Sequence, residues 1–318
     1  MERRMAIRVL LVASAVFFFT SPPRALPALV PLPDDTPDFT IRSDVRLVLL
    51  DVSVKDRDGG YVNGLSKDNF KVDENGKPQQ ITVFADDDIP VTVGILVDDS
   101  RSMMPNRDAV MTAAATFIQQ SNPHDETFVL NFNDRVTPGL PKGVLFSDDI
   151  EQLRSALWRG FPEGRTALND AIADGLKQLK LGRCDKKALV VISDGGDNAS
   201  QIKQSQMLKL VDQSLATIYT IGLFNPGDAD QNPGILRRLA RITGGISYFP
   251  QGAGGMADAC KSIAKDIRTR YTIGYHPLAQ NGGSLRRIKV HVSAPGRRGL
   301  TARTRLSYRY EQTADQNE

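Results

Sequence analysis

Between Val45 and Phe84 the hydrophobic pattern has a period of two. Val48, Leu50, Val52 and Val54 fall on one face of an expected strand, which ends at the turn sequence Asp56-Arg57-Asp58-Gly59-Gly60. Phe70 to Glu74 and Gln80 to Phe84 predict the arms of a hairpin around Asn75-Gly76, a pair that tolerates the positive φ angles of a tight turn. No long helical pattern fits here, so the stretch predicts a small antiparallel β module of about forty residues.

From Val91 the texture changes to strand, helix, strand, helix. Val91 to Val97 is an unbroken, β-branched apolar run, the signature of a strand buried on both faces of a parallel sheet. Pro105 suits a first helical turn, and Val110, Ala113, Ala114, Phe117 and Ile118 form one apolar helical face. Further strands are expected at Thr127–Phe132, Ala188–Ile192, Thr217–Leu223 and Ile246–Phe249. Helical patterns run over Ile150–Trp158, Leu168–Leu179, Ile202–Leu215, Ile235–Ile242 and Met256–Arg270. This alternation predicts an α/β fold, a doubly wound and mostly parallel sheet with helices on both faces.

After Arg270 the period of two returns. Tyr271–Tyr275, Arg287–Val292 and Thr301–Tyr308 read as strands, the second with Ile288, Val290 and Val292 inward and Arg287, Lys289 and His291 outward. Neither β flank is long enough to bury a core alone. They are expected to pack together as one small antiparallel β-sandwich, with the α/β domain inserted between them. The boundaries that follow are a β-sandwich half over 41–89, the α/β domain over 90–270, the second half over 271–310 and a polar tail over 311–318.

The N-terminus stands apart from this plan. Arg3, Arg4 and Arg8 precede an uncharged run from Val9 to Thr20, which is shorter than the about 20 residues a spanning helix needs. A secretory signal peptide over 1–25 is expected, cleaved after Ala25 or Ala28, with an uncleaved anchor as the alternative. A Pro-rich linker over 26–40 follows. No cysteine lies near the cleavage region, which argues against a lipid anchor. The expected location is secreted, periplasmic or cell-envelope, with membrane contact only if the N-terminal segment is retained.

Composition adds two limits. The chain has 318 residues, 41% hydrophobic and 24% charged, enough for two cores. Its formal charge of +3 resides in residues 1–25, where four arginines face one glutamate. The remainder is neutral, so there is no electrostatic case for nucleic acid. The two cysteines, Cys184 and Cys260, make no disulfide scaffold and are expected to be free.

The chemistry concentrates where the apolar strands end. Asp98, Ser100 and Ser102 occupy alternate positions as the chain leaves the first α/β strand, so their oxygens can converge. Thr166 lies in Gly164-Arg165-Thr166-Ala167-Leu168, just before a helix, and Asp194 lies in Val190-Val191-Ile192-Ser193-Asp194-Gly195, where a strand ends. Ligands of doubly wound sheets bind outside the carboxyl ends of strands, where strand order reverses. Three loops thus offer two carboxylates and three hydroxyls there, and oxygen donors suit a hard divalent cation such as Mg²⁺. For Thr166 a helix cap is the alternative.

Asp-x-Ser-x-Ser, a downstream Thr opening a helix and a strand-terminal Asp-Gly resemble the metal-ion-dependent adhesion site of von Willebrand factor A-like domains, over about 90 to 270. Gly164 to Ile172, Ser193 to Asn198, Leu236 to Ala240 and Thr243-Gly244-Gly245 are similar to the same family. Val62-Asn63-Gly64-Leu65, Phe70, Glu74 to Pro78 and Tyr271 to Tyr275 resemble an exported bacterial subgroup, the VWFA-related Acidobacterial domain.

The resemblance implies that Ser100, Ser102 and Thr166 coordinate Mg²⁺, with Mn²⁺ or Ca²⁺ as possible occupants, while Asp98 and Asp194 hold its waters. It also implies a protein partner that offers an Asp or Glu carboxylate. Neutral hydroxyls leave the cation under-neutralised, so it still attracts an anion. Arg101 between the serines and Asp99 beside Asp98 depart from the pattern. Arg101 suits either capture of an acidic ligand or plain solvation.

Other motifs are weaker. Asp228 to Asn232 lacks the central Gly and closing Glu of a calcium loop, and Ser200-Gln201-Ile202-Lys203 lacks the companion motifs of penicillin-binding enzymes. His124, His276 and His291 have no zinc spacing. Gly252 to Gly255 reads as a flexible lead-in to a helix, and Arg286, Arg287, Lys289, Arg303 and Arg305 read as wet faces of the sandwich. The expected function is therefore an exported, non-catalytic protein-binding domain with no small-molecule substrate. The alternatives are a structural envelope module with a vestigial metal site and, last, a metal-dependent hydrolase, for which Asp99 or Asp197 would have to serve as base.

Overall fold

Alternation of apolar side chains from Val48 onward produces β1 (Val48–Lys55), with Val48, Leu50, Val52 and Val54 all buried. The computed structural model describes residues 47–225, 227, 229–277 and 285–309, and all but the side chain of Ala253 within them. The expected signal peptide, linker and tail lie outside the described residues. Next come β2 (Phe70–Glu74) and β3 (Lys77–Gln79), joined by Asn75 and Gly76 at φ 50° and 78°, as a tight turn requires.

The hairpin's second arm is shorter than the sequence suggests. Gln80 breaks the run, and β4 (Ile81–Ala85) pairs with a C-terminal strand in another sheet. The cause is aromatic packing: Phe84 lies 5.6 Å from Phe70 and 5.8 Å from Tyr271 between ring centroids, bridging the two sheets.

The α/β unit then runs β5 (Val91–Asp98), α1 (Arg107–Gln119), β6 (Glu126–Phe132), β7 (Val136–Pro138), α2 (Ile150–Leu157), α3 (Leu168–Leu179) and β8 (Lys186–Ser193). It continues through α4 (Gln204–Gln213), β9 (Thr217–Gly222), α5 (Pro233–Thr243), β10 (Ser247–Tyr248) and α6 (Gly252–Arg268). The six strands lie in the order β10-β9-β8-β5-β6-β7, parallel except for β7. Every residue of β5 is buried, since β6 and β8 flank it and helices cover both faces. Strand β7 is too short and polar to register as a period. The glycines Gly252 to Gly255, expected as a flexible lead-in, form the first turn of α6 instead.

Four more strands follow among the described residues: β11 (Tyr271–Tyr275), β12 (Leu285–Val292), β13 (Thr301–Arg303) and β14 (Ser307–Arg309). They join the N-terminal strands in two antiparallel sheets, β13-β1-β11-β4 and β14-β12-β2-β3. The N- and C-terminal flanks therefore share one sandwich, with Leu50 opposite Ile273, and the doubly wound α/β unit is inserted in it. Its core holds Leu50, Val52, Phe70, Val72, Tyr271 and Ile273.

Residues 301–308 are not one strand. A corner at Thr304 to Leu306 carries the chain from one sheet to the other, held where Leu306 N donates to Ile242 O at 3.0 Å. Nor are all the arginines solvated. Arg286 is 1% exposed and pairs with Glu74, itself 2% exposed, at 2.9 Å, while the Tyr275 and Tyr308 hydroxyls donate to the second Glu74 oxygen. Arg305 is buried too, donating to the Ser214 and Ser307 carbonyls. Of the expected wet face only Arg287 and Lys289 are exposed, and Arg303 is half-buried.

No helix among the described residues is long and apolar enough to cross a membrane.

Candidate metal centre

Strand order reverses at β5. The chain leaves β5 through α1 to β6 on one side, and β8 pairs on the other. The loops after β5 and β8 therefore diverge and leave a crevice at their carboxyl ends. Asp98 ends β5 and Ser193 ends β8, so their side chains meet across the crevice.

Asp98 is 2% exposed. Its Oδ1 accepts from Ser100 N at 2.9 Å and its Oδ2 from Ser193 Oγ at 2.6 Å. The Ser100 and Ser102 hydroxyls lie 3.1 Å apart, and Ser102 Oγ donates to Asp194 Oδ2 at 2.6 Å. Gly196 N donates to Asp194 Oδ1 at 2.9 Å. Asp98, Ser100, Ser102 and Asp194 thus stand in one hydrogen-bonded run drawn from two loops.

The convergence has a different local cause from simple extension. Ser100 is extended, at φ −71° and ψ 163°, but the chain turns into a 3₁₀ segment from Arg101 to Asn106, and this turn swings Ser102 back onto Ser100. Asn225 supports that turn by donating to the Ser102 carbonyl.

Thr166 sits on the third loop, 5% exposed. Its N–H donates to Asn198 Oδ1 at 2.9 Å, and its carbonyl accepts from Asn198 N at 2.9 Å and Ala199 N at 3.0 Å. The same loop is tied to the first, where Arg101 N donates to Gly164 O at 3.3 Å and Glu163 N to Asp99 O at 2.9 Å. Thr166 does not cap α3. Ala167 occupies the cap position, and the first-turn N–H groups of Asn169 and Asp170 are served by Asp197 and Ser200 at 3.1 Å each. Among the described residues nothing hydrogen-bonds to the Thr166 hydroxyl, which leaves it available to a ligand.

Burial pushes Asp98 up to about 7; hydrogen bonds from Ser100 and Ser193 pull the other way, and the Asp194 charge adds to the rise. Asp99 is raised as well, by burial, with Arg107 opposing. The Arg107 guanidinium bonds both the Asp99 carboxylate and the Gly160 carbonyl. A Cβ on Gly160 would lie 1.4 Å from Asp99 Oδ2, so only glycine permits this approach. Asp197 is likewise engaged, by Asn169 Nδ2 and Ser200 Oγ. Both carboxylates named as bases for a hydrolase are therefore held by structural partners. Arg101 is exposed.

Among the described residues there is no group of three or more His, Cys, Asp or Glu side chains placed to hold a metal ion, so a cation here would rest on the hydroxyls. The donor set here is hydroxyl-rich and carboxylate-backed, which fits a hard cation that keeps several waters. Ser193, Asn198 and Asn225 escaped the sequence reading as positioning residues. A Ser at a strand end and Asn residues in loops are too common to carry a signal alone. Cys184 and Cys260 are both free.

A doubly wound sheet inserted in a β-sandwich, with such a crevice at its switch point, defines an α/β domain of the von Willebrand factor A-like class. Residues 93–196 match the family model described as von Willebrand factor type A domain, and the central α/β unit has the fold of such domains. Among solved structures the chain is similar to "von Willebrand factor type A from Catenulispora acidiphila" at 15% identity, covering 78% of this chain and 75% of that one, with a TM-score of 0.51, a likeness of fold. It also matches the conserved hypothetical protein BatB from Bacteroides thetaiotaomicron at 17% identity (56% of this chain, 97% of that one, TM-score 0.45). The vWF domain of the type V pili tip protein Mfa5 from Porphyromonas gingivalis matches at 11% identity (56% and 95%, TM-score 0.45). No curated protein matches the chain.

Proposed function

We propose that this protein is an exported, non-catalytic binding protein that uses a divalent cation to capture an acidic group of a partner protein. The observation behind it is the hydrogen-bonded run from Ser193 through Asp98, Ser100 and Ser102 to Asp194, with the unengaged Thr166 hydroxyl on the adjoining loop. Ser100, Ser102 and Thr166 would hold Mg²⁺, or Mn²⁺ or Ca²⁺, and Asp98 and Asp194 would hold its waters. The bound cation would supply the attraction for a carboxylate. Burial that lifts Asp98 to about 7 supports a cation here, since a desolvated carboxylate gains most from a neighbouring positive charge.

The absence of catalysis is supported by the engagement of Asp99 with Arg107 and of Asp197 with Asn169 and Ser200. Export rests on the basic and apolar pattern before residue 25, which favours a secreted, periplasmic or envelope location. A pull-down from envelope extract tests the proposal. Wild type with Mg²⁺ should retain a partner that EDTA or Ser100→Ala releases. Equal retention under all three conditions would indicate a structural module with a vestigial site. Turnover of ester or phosphate substrates, lost on Asp98→Ala, would indicate a hydrolase.

A further inference from the structure

A groove of about 720 Å³ runs along the junction of the α/β unit and the sandwich. Six basic side chains line it, Lys55, Arg237, Arg241, Lys289, Arg303 and Arg305, and no acidic one does. The chain beyond residue 25 carries no net charge, so this is a local concentration of one sign. Arg303 and Arg305 are engaged, Arg303 with Asp266 at 2.5 Å and Arg305 with backbone carbonyls. The other four form no ion pair among the described residues, although Lys289 stands opposite Asp73 in the register of β12 and β2. Lys55 lies over the Tyr61 ring at 4.5 Å and Arg237 over the Phe249 ring at 4.4 Å, contacts that fix the cations without neutralising them. Arg237 and Arg241 are one turn apart on α5 and share a face.

The rest of the lining is apolar. Ile246, Val290, Ala302 and Leu306 contribute, and Leu306 is 48% exposed despite its size. Two sheet-terminal strands also meet here: β10 ends the central sheet, β13 ends a sandwich sheet, and residues of both line the groove. A terminal strand can accept an extended peptide as a further strand. Positive charge, apolar lining and strand edges together suit a peptide that alternates acidic and apolar side chains. A sulfated polysaccharide would match the charge but leave the apolar surface and strand edges unused.

We propose that this groove is a second binding site, taking an extended acidic, amphipathic peptide segment of a partner without any need for a cation. It is separate from the candidate metal centre. Helix α5 begins beside that centre, where Asn232 N donates to Asp194 O at 3.0 Å, and Arg241 lies about 14 Å further along the axis at the usual helical rise.

The test is fluorescence anisotropy on the full chain in EDTA, with a labelled decapeptide of alternating glutamate and valine. The peptide should bind saturably, and its glutamine-for-glutamate version at least tenfold more weakly. Arg241→Glu with Lys289→Glu, both exposed and in no ion pair among the described residues, should weaken binding at least tenfold while remaining folded by circular dichroism, with a small loss of stability from the new Glu opposite Asp73. Arg241→Gln with Lys289→Gln should produce a smaller loss, and Ser100→Ala none. Absence of saturable binding, equal binding by the charge-reversed variant, or tighter binding of labelled dextran sulfate than of the peptide would overturn the proposal. Because EDTA is present throughout, these outcomes are independent of the cation reading.

Discussion

Ser102 joins the two halves of the candidate centre, 3.1 Å from the Ser100 hydroxyl on one side and bonded to Asp194 on the other. Its type and spacing were legible in the chain, as were those of Asp98, Ser100 and Asp194, because small oxygen-bearing residues at the ends of apolar strands are conspicuous. The turn that brings Ser102 back was not, since 3₁₀ segments leave no periodic trace. Thr166 was ambiguous between ligand and cap, and only the placement of Ala167 at the cap position resolves its backbone role. Cys260 offers a test at this scale. Burial pushes its thiol up to about 12, so almost none is thiolate at neutral pH. Iodoacetamide at pH 8 should therefore leave Cys260 unmodified in the folded protein and label it in urea, read by peptide mass spectrometry. Labelling under native conditions would contradict the packing of α6.

Elements were legible where periodicity was long and lost where the chain changes sheets. β1 and β5 follow their apolar patterns closely. The step from β3 to β4 and the corner at Thr304 to Leu306 were invisible, because alternation continues through both while hydrogen-bond partners change. Gly244 shows how tightly that corner packs. It ends α5 at φ 79°, and a Cβ there would lie 2.4 Å from the Thr304 carbonyl carbon. Gly143, at φ 87°, has nothing within 4 Å of its would-be Cβ. Gly143→Ala should incur only the left-handed backbone cost, about 1–2 kcal/mol. Gly244→Ala should add an overpacking cost of about 1–3 kcal/mol. Urea midpoints of the two variants measure the difference, and equal shifts would mean that the corner does not press on the helix end.

At the scale of the molecule, the insertion was legible because neither β flank could bury a core alone. What locks the inserted unit to the sandwich was not, since its partners are far apart in sequence. Asp266 of α6 is 0% exposed. It accepts from Ser53 of β1 at 2.9 Å, Tyr219 of β9 at 2.7 Å, Arg303 of β13 at 2.5 Å and Arg270 at 2.7 Å. Burial alone would raise this carboxyl, but Arg270 and Arg303 outweigh it and hold the group below the usual carboxylate range. A depressed folded value means that the folded state binds fewer protons than the unfolded one. The contribution of Asp266 is therefore present above the unfolded value, about 3.9, and is lost as pH falls through the folded value. Asp266→Ala should cost about 3–5 kcal/mol at pH 7, because buried guanidiniums lose their partner. The gap to wild type should narrow in urea melts below about pH 4. A gap that stays constant into acid would show that the carboxylate is not the keystone of the junction.

The most direct test of the central claim is calorimetric titration of Mg²⁺ into wild type, Ser102→Ala and Thr166→Ala. Wild type should bind one Mg²⁺ saturably, and each variant, folded by circular dichroism, at least tenfold more weakly. Titrations without a saturable heat in wild type, or with both variants unchanged, would contradict a cation held by hydroxyls from these loops.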